Sequence, residues 1–410
     1  MSVATSLGAS VAQIAPDPAL PQLPSLLDPD RMSGILGRSL RPDLRAPGVR
    51  ISYVRYRPTK SLVVGYDVTL GELTHGAFAL ADARVDLAGR AAAQESAALV
   101  AKLAGRTPTR TPLAYEAEVD ALVQWLPLDL ALPAMAEAPE HIRARLAAAG
   151  LELESDDIPR VVKHKPMTRG ILRFDRHIAK MYPDEESLAA SVRAVEASSS
   201  LPFPTARRTA VVPELLLATQ TLVPGRRPDG NADTAALAGA LLAVLHSTPS
   251  QDVRLQPPRD QLRWVAKQSR LLASIAPHLA SRLNRLVATL EACRPSAELV
   301  LSHGDFHSGQ LLQSDGELGV VDFDGMCLAP AALDIASYVV SRVERPEDLA
   351  PAEATLEILV DAYGSRPQGI RWYLAGRLLR HARRPFVRFK PGWPDEVEAC
   401  VAAAEASLEL

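Results

Sequence analysis

The feature that most constrains the fold of this 410-residue chain is an internal repeat. Leu23-Pro24-Ser25-Leu26-Leu27-Asp28-Pro29 matches Leu132-Pro133-Ala134-Met135-Ala136-Glu137-Ala138 at an offset of 109, and Val54-Arg55-Tyr56-Arg57-Pro58 matches Val162-Lys163-His164-Lys165-Pro166 at 108. Pro108-Thr109 then matches Pro204-Thr205, and Gln124-Trp125-Leu126-Pro127 matches Thr221-Leu222-Val223-Pro224, at offsets of 96 and 97. Four correspondences that keep chain order with two nearly constant offsets mean that one supersecondary unit occurs twice. Residues 20–130 therefore repeat the unit that follows them.

The second copy is the easier to read. From Arg160 to Tyr182, β-branched and aromatic residues flank a turn at Pro166 to Gly170, which predicts strand, turn, strand, turn, strand. Lys180 lies on the third strand, in a chain with seven lysines among its 45 basic residues. A helix is predicted over 184–199, carrying Glu185, Glu186 and Glu196. Residues 214–225, ELLLATQTLVPG, read as an apolar strand running into a Pro-Gly break. In the first copy Leu80 takes the slot of Lys180, and only Lys60 and Lys102 supply lysine.

The chemistry is concentrated further on, in His303-Gly304-Asp305-Phe306-His307-Ser308-Gly309-Gln310 and Val320-Val321-Asp322-Phe323-Asp324-Gly325. An Asp, an amide side chain five positions later and a second Asp twelve after that suit phosphoryl transfer. The first Asp can accept the proton of an attacking hydroxyl, while the amide oxygen and the second carboxylate are hard ligands for Mg²⁺. Kinase catalytic loops place Asp and Asn at the same five-residue step before their metal-binding Asp.

These loops, together with Leu333-Asp334-Ile335-Ala336-Ser337-Tyr338-Val339, resemble the aminoglycoside phosphotransferase and choline kinase-like family of the protein-kinase-like fold, its maltokinase-like and actinobacterial members above all. The resemblance implies a bilobal α+β fold, here with an extra, degenerate copy of the small lobe at the N-terminus. It implies Asp305 as catalytic base, Gln310 and Asp322 as metal ligands for Mg²⁺, His303 as a brace of the loop, and Asp334 as a support beneath it. Gln310 stands where the family usually has Asn. Lys180 would hold the ATP phosphates with Glu196 as its partner. Backbone groups of Met167, Thr168 and Gly170 would cover the phosphates, and those of Gln220, Thr221 and Leu222 would meet the adenine edge.

The implied organisation is a degenerate small lobe over 1–130, acting as a cap or recruitment module, a small lobe over 131–225, and a helical large lobe over 226–410. Helices are predicted over 232–246, within 261–292, and over 331–342, 352–363, 371–384 and 395–408. His246 resembles the family's packed histidine at a helix end. Residues 371–390 hold seven Lys and Arg and no acid, and Arg377, Arg380 and Arg384 are spaced to share a helical face. Facing an acceptor, that face favours an anionic substrate. Facing water, it is an ordinary solvated helix.

A net charge of −3 and a pI near 6.3 provide no global attraction to nucleic acid or anionic membrane. Cys293, Cys327 and Cys400 lack metal-ligand spacing and read as free thiols. The first twenty residues carry no secretory pattern, and the longest apolar helical run is too short to span a bilayer. The expectation is a cytoplasmic transferase with ATP and Mg²⁺ as cofactors. Three readings stay open: a kinase acting on a sugar or natural product, a Ser/Thr kinase acting on a peptide in ribosomal peptide biosynthesis, and a pseudokinase binding module.

Overall fold

The computed structural model describes residues 11–44, 48–94, 97–103, 105–154, 157–249 and 253–409. The first ten residues, part of the stretch searched for a secretory pattern, lie outside that set. The chain forms two compact units. One comprises Met1–Leu188, Ala210–Ala218 and Pro385–Trp393, and the other Ala189–Thr209, Thr219–Arg384 and Pro394–Leu410. Among the described residues no helix is long and apolar enough to cross a membrane.

Two five-stranded sheets carry the repeated segments. The first contains β1 (Gly48–Arg57), β2 (Ser61–Leu70), β3 (Leu73–Asp82), β4 (Leu113–Glu116) and β5 (Ala121–Trp125), in the order β1-β2-β3-β5-β4. The second contains β6 (Arg160–Lys165), β7 (Arg169–Arg173), β8 (His177–Met181), β9 (Arg208–Val212) and β10 (Leu217–Thr221), in the order β6-β7-β8-β10-β9. The likeness extends to irregularities. Each first strand has a register shift, at Ile51/Tyr53 and Val161/Lys163. Each first hairpin turns on a residue of positive φ, Thr59 at 60° and Met167 at 57°. Each final strand follows a 3-10 turn that ends on a left-handed residue, Asp120 or Leu216. Val63 stands opposite Leu80 in the first sheet as Ile171 stands opposite Lys180 in the second.

Packing joins the two sheets within their unit. Leu126, at the end of β5, packs against the core of the first sheet around Phe78 and Leu122 and also against that of the second around Leu172 and Met181. Met167 leaves its own hairpin to pack on the first core. The segment Pro385–Trp393 returns to this unit, where Phe386 meets Tyr56 edge-on at 6.5 Å and Trp393 at 5.1 Å.

Polar contacts tie the Lys165–Arg169 turn down as well. Asp129 is buried, and its Oδ2 accepts from His164 Nε2 at 2.9 Å and from the Met167 N–H at 2.7 Å, while Oδ1 accepts from Ala131 N at 3.0 Å. Arg55 donates to Thr168 Oγ1 from the neighbouring strand β1. Asp129→Ala leaves three partly buried donors, on His164, Met167 and Ala131, without their buried acceptor and is expected to lower unfolding free energy by about 3 kcal/mol, the low end for breaking a buried pair. Chemical denaturation would measure it. A loss under about 0.5 kcal/mol, typical of a neutral surface site, would remove this clamp from the account.

The other unit is mostly helical. The expected helices are present as Ala232–Ser247, Pro258–Ile275, Ala280–Ala292, Ala332–Val340, Leu349–Tyr363 and Trp393–Glu409. Asn231 caps the first by accepting from Thr234 N at 2.9 Å. Gly239 lets that helix approach Leu349–Tyr363 closely, since a Cβ there would lie 2.2 Å from Leu359 O. The predicted 371–384 helix needs correction: it spans Ile370–Ala382, and Arg384 starts a separate short turn, Arg384–Val387. Pro385 has no N–H for the carbonyl four residues back, so the helical ladder stops before it. Between the helices run β11 (Arg254–Leu255), β12 (Val300–Ser302), the hairpin β13 (Leu311–Ser314) and β14 (Glu317–Val320), and β15 (Cys327–Ala329). β15 pairs with both β11 and β12.

Candidate active site

Strand β12 delivers His303, Gly304 and Asp305 at its end. Gly304 has φ +82°, and a Cβ there would lie 2.2 Å from Gly325 O, so the backbones of the two motif loops touch where only glycine fits. Asp334, on the first turn of Ala332–Val340, is fully buried and receives the loop. Its Oδ2 accepts from His303 N at 2.7 Å and its Oδ1 from Gly304 N at 2.9 Å. His246 Nε2 lies 3.4 Å from Oδ2, and its Nδ1 lies 3.0 Å from Tyr363 Oη. Burial pushes the Asp334 carboxyl up, but the His246 bond, with help from His303, outweighs it and holds the group below the ordinary aspartate value.

His303 is also buried. Its Nε2 lies 3.0 Å from Val321 O, its Nδ1 accepts from Asp305 N at 3.3 Å, and its ring packs on Phe306 and Phe323. It thus links the loop that bears Asp305 to the one that bears Asp322. The side chain of Asp305 is 39% exposed. Burial raises its pKa, yet Arg380 first and Arg377 second, then His307 and His303, lower it further, and the net shift is downward.

A 3-10 turn over Ser308–Gln310 brings Gln310 to Asp322, with Nε2 3.2 Å from Oδ2. The backbone adds a bond from Val321 N to Gln310 O at 3.0 Å. Asp322 has φ 68°, a left-handed conformation that aspartate tolerates better than most residues. Rotating the amide presents its oxygen beside the carboxylate, which makes two hard oxygen donors. Among the described residues no set of three His, Cys, Asp or Glu groups could hold a metal. Mg²⁺ needs none, because it keeps several waters and takes one or two protein ligands plus phosphate oxygens. The donor set fits it. Asp324, on the next turn, accepts from Ser191 Oγ at 2.8 Å.

The remaining candidates lie elsewhere in the fold. Lys180 is buried on β8, 5% exposed. Glu196, on the Glu185–Ser198 helix, pairs with Arg208 at 2.8 Å and is half exposed. Within the hairpin turn the Met167 N–H is taken by Asp129 and the Thr168 N–H by Lys165 O at 3.0 Å, so neither is open to a phosphate unless that bond breaks. Gly170 is in β7 opposite His164. At the expected hinge Gln220 is buried, and the Thr221 N–H donates to Arg207 O at 2.8 Å. Leu222 follows the end of β10 and is partly exposed.

Sequence reasoning missed the partners of these groups. Asp129, Ser191, and Arg254, whose guanidinium donates to Gly325 O at 3.1 Å, carry no motif signal. The basic helix is legible in the sequence, but its contact with Asp305 depends on tertiary packing.

Antiparallel sheets together with a helical unit that carries the loops of Asp305, Gln310 and Asp322 make an α+β architecture. Residues 153–373 match the phosphotransferase enzyme family, and the chain belongs to that family. A glucosamine kinase from Streptacidiphilus jiangxiensis is 39% identical over 71 residues. That match spans 15% of this chain and 16% of the kinase. The solved GDP complex of wild-type aminoglycoside 2'-phosphotransferase-IIIa is similar with a TM-score of 0.50 at 11% identity, covering 66% of this chain and 100% of that one, and so shares the fold. A choline/ethanolamine kinase family protein from Mesorhizobium loti gives a TM-score of 0.47 at 15% identity, over 66% of this chain and 95% of its own.

Proposed function

We propose that this protein transfers the γ-phosphoryl group of ATP to a hydroxyl of a small molecule, a sugar or natural product. The observation that carries the reading is the loop assembly in which His303 links Asp305 to the Asp322–Gln310 pair while Asp334 holds it from below. Asp305 accepts the acceptor's hydroxyl proton. Held below its ordinary pKa by two guanidiniums, it is a weak base. A loose transition state, in which little negative charge is needed on the attacking oxygen, asks mainly that the hydroxyl be aimed. Gln310 and Asp322 would hold Mg²⁺, which when bound neutralises charge on the phosphates. Lys180 would take the α and β phosphates, while Glu196, expected as its partner, is paired with Arg208 instead. Gly170 would lie near the phosphates, and the backbone at Gln220 and Leu222 would meet the base.

On this reading residues 131–225 are the nucleotide lobe, 226–410 the catalytic lobe, and 1–130 a degenerate copy of the small lobe. The common strand order and Leu80 at the position of Lys180 support the last point. That copy recognises or braces and does not catalyse.

Thermal denaturation tests nucleotide use. Millimolar Mg-ATP is expected to raise the apparent Tm of the full chain, since a ligand at about 100 times its Kd adds roughly 2.7 kcal/mol to the folded state. Lys180→Ala should diminish the rise, and Asp322→Ala should remove its dependence on Mg²⁺. A wild-type protein indifferent to nucleotide would leave the pseudokinase reading in its place.

A further inference from the structure

The candidate base sits under two cations. Arg377 and Arg380 lie on one face of the Ile370–Ala382 helix and converge on a single oxygen, Asp305 Oδ1, with Arg380 Nη1 at 3.3 Å and Arg377 Nη1 at 3.8 Å. Arg377 is 3% exposed, and its Nη2 donates to Gly304 O. Its Nε is buried with no hydrogen-bond partner among the described residues. The Arg380 side chain is 32% exposed, and its guanidinium lies 5.7 Å from the centre of the Trp264 ring, itself partly exposed. Both guanidiniums thus face the Asp305 carboxylate, but Arg377 is buried and also feels the Asp334 carboxylate, so Arg380 is the cation of the two that a bound molecule can reach.

The neighbouring histidines add no charge of their own. His307 is pushed down by burial and by Arg384, against the pull of Asp305. His381 is pushed down to about 2 by burial and then by Arg384, Arg380 and Arg377. Both are neutral near pH 7, where Asp334 is already engaged by His303 N and Gly304 N.

An acceptor hydroxyl bonded to Asp305 comes within roughly 6 Å of Arg380 if it meets Oδ1, the sum of a hydrogen bond and the Oδ1–Arg380 distance, and within roughly 8 Å if it meets Oδ2. We propose that the acceptor is a polyhydroxylated small molecule bearing an anionic group, held by Arg380 with its ring or chain against Trp264. This rests on the reading of Asp305 as the base. The transfer balances simply: the acceptor O–H and the bridging bond to the terminal phosphorus break, and a new O–P bond forms. The nucleoside diphosphate leaves with the bridging oxygen and its electron pair, and the proton passes to Asp305 and then to water. Ammonium-bearing acceptors meet a guanidinium of like charge at that distance, while an anion gains by the same amount.

The test compares polyhydroxylated acceptors of different charge on the full chain with ATP: gluconate and glucose 6-phosphate as the two kinds of anion, glucose as neutral, glucosamine and kanamycin as cations. Over glucose, kcat/KM for at least one anion is expected to be higher by about tenfold to a hundredfold, with the cations below glucose. Arg380→Gln, which also touches Asp305, is judged only on the ratio of anion to glucose, which should collapse toward one. High salt should shrink the same ratio. A preference for glucosamine or kanamycin, or an unchanged ratio in Arg380→Gln, overturns the proposal. If ATP is consumed by water alone, calorimetry on the nucleotide-loaded enzyme replaces turnover, and failure of both anions to bind more tightly than glucosamine overturns it equally. ATP binding and consumption in the same preparations separate the two readings, because their absence defeats the phosphotransferase assignment itself.

Discussion

Asp305→Asn is expected to reduce turnover by about 10²- to 10⁴-fold, the usual contribution of a general base, while leaving nucleotide affinity nearly unchanged. Asn keeps the size of the side chain and one accepting oxygen but cannot take a proton. It also leaves Arg377 and Arg380 without their carboxylate, so thermal unfolding of the variant should be followed beside its kinetics. Nucleotide contacts are assigned to Lys180, Gln310 and Asp322, which the substitution spares. The Asp305 pKa is lowered, so the carboxylate protonates only as pH falls below the ordinary aspartate range. The wild-type kcat/KM profile should therefore show no acid limb from this group between roughly pH 5 and neutrality. Near wild-type turnover by Asp305→Asn would take Asp305 out of the mechanism.

Removing residues 1–130 is expected to leave no soluble folded protein. The deletion takes Leu126 from the core around Leu172 and Met181, Asp129 from His164 and Met167, Arg55 from Thr168, and Tyr56 from Phe386. Each large apolar side chain lost from a core represents about 1.5–3 kcal/mol, against a total stability on the order of 5–15 kcal/mol for a typical domain. Expression of residues 131–410, followed by sedimentation and a cooperative unfolding scan, decides the matter. A soluble fragment that binds ATP yet fails on its acceptor would instead make the first sheet a separable recruitment module.

Much of the site was legible because its members are close in sequence. His303, Asp305, Gln310 and Asp322 fall within one strand-loop-hairpin, where spacing alone dictates which side chains meet. The same holds for β6, β7 and β8, whose turn residues and alternation are local signals. Arg384 illustrates the limit of periodicity. An i+7 spacing from Arg377 predicted a common face, but Pro385 ended the helix first. The turn at Met167 and the strand end at Thr221 illustrate another limit. Both were expected to offer N–H groups to a nucleotide, and those groups are bonded to Asp129 and Arg207.

By itself, the sequence determined the recurring segments, the helix and strand pattern, and the order of the groups proposed for phosphoryl transfer, since each is written in spacing, turn chemistry and apolar period. Only the tertiary structure decided that Arg377, 73 residues beyond Gly304, bonds to that loop's backbone and with Arg380 surrounds Asp305 with positive charge. It alone decided that Asp129, 38 residues before Met167, occupies the hairpin's N–H. Such contacts join segments distant along the chain through side-chain direction and packing, and neither leaves a periodic trace in the residues between them.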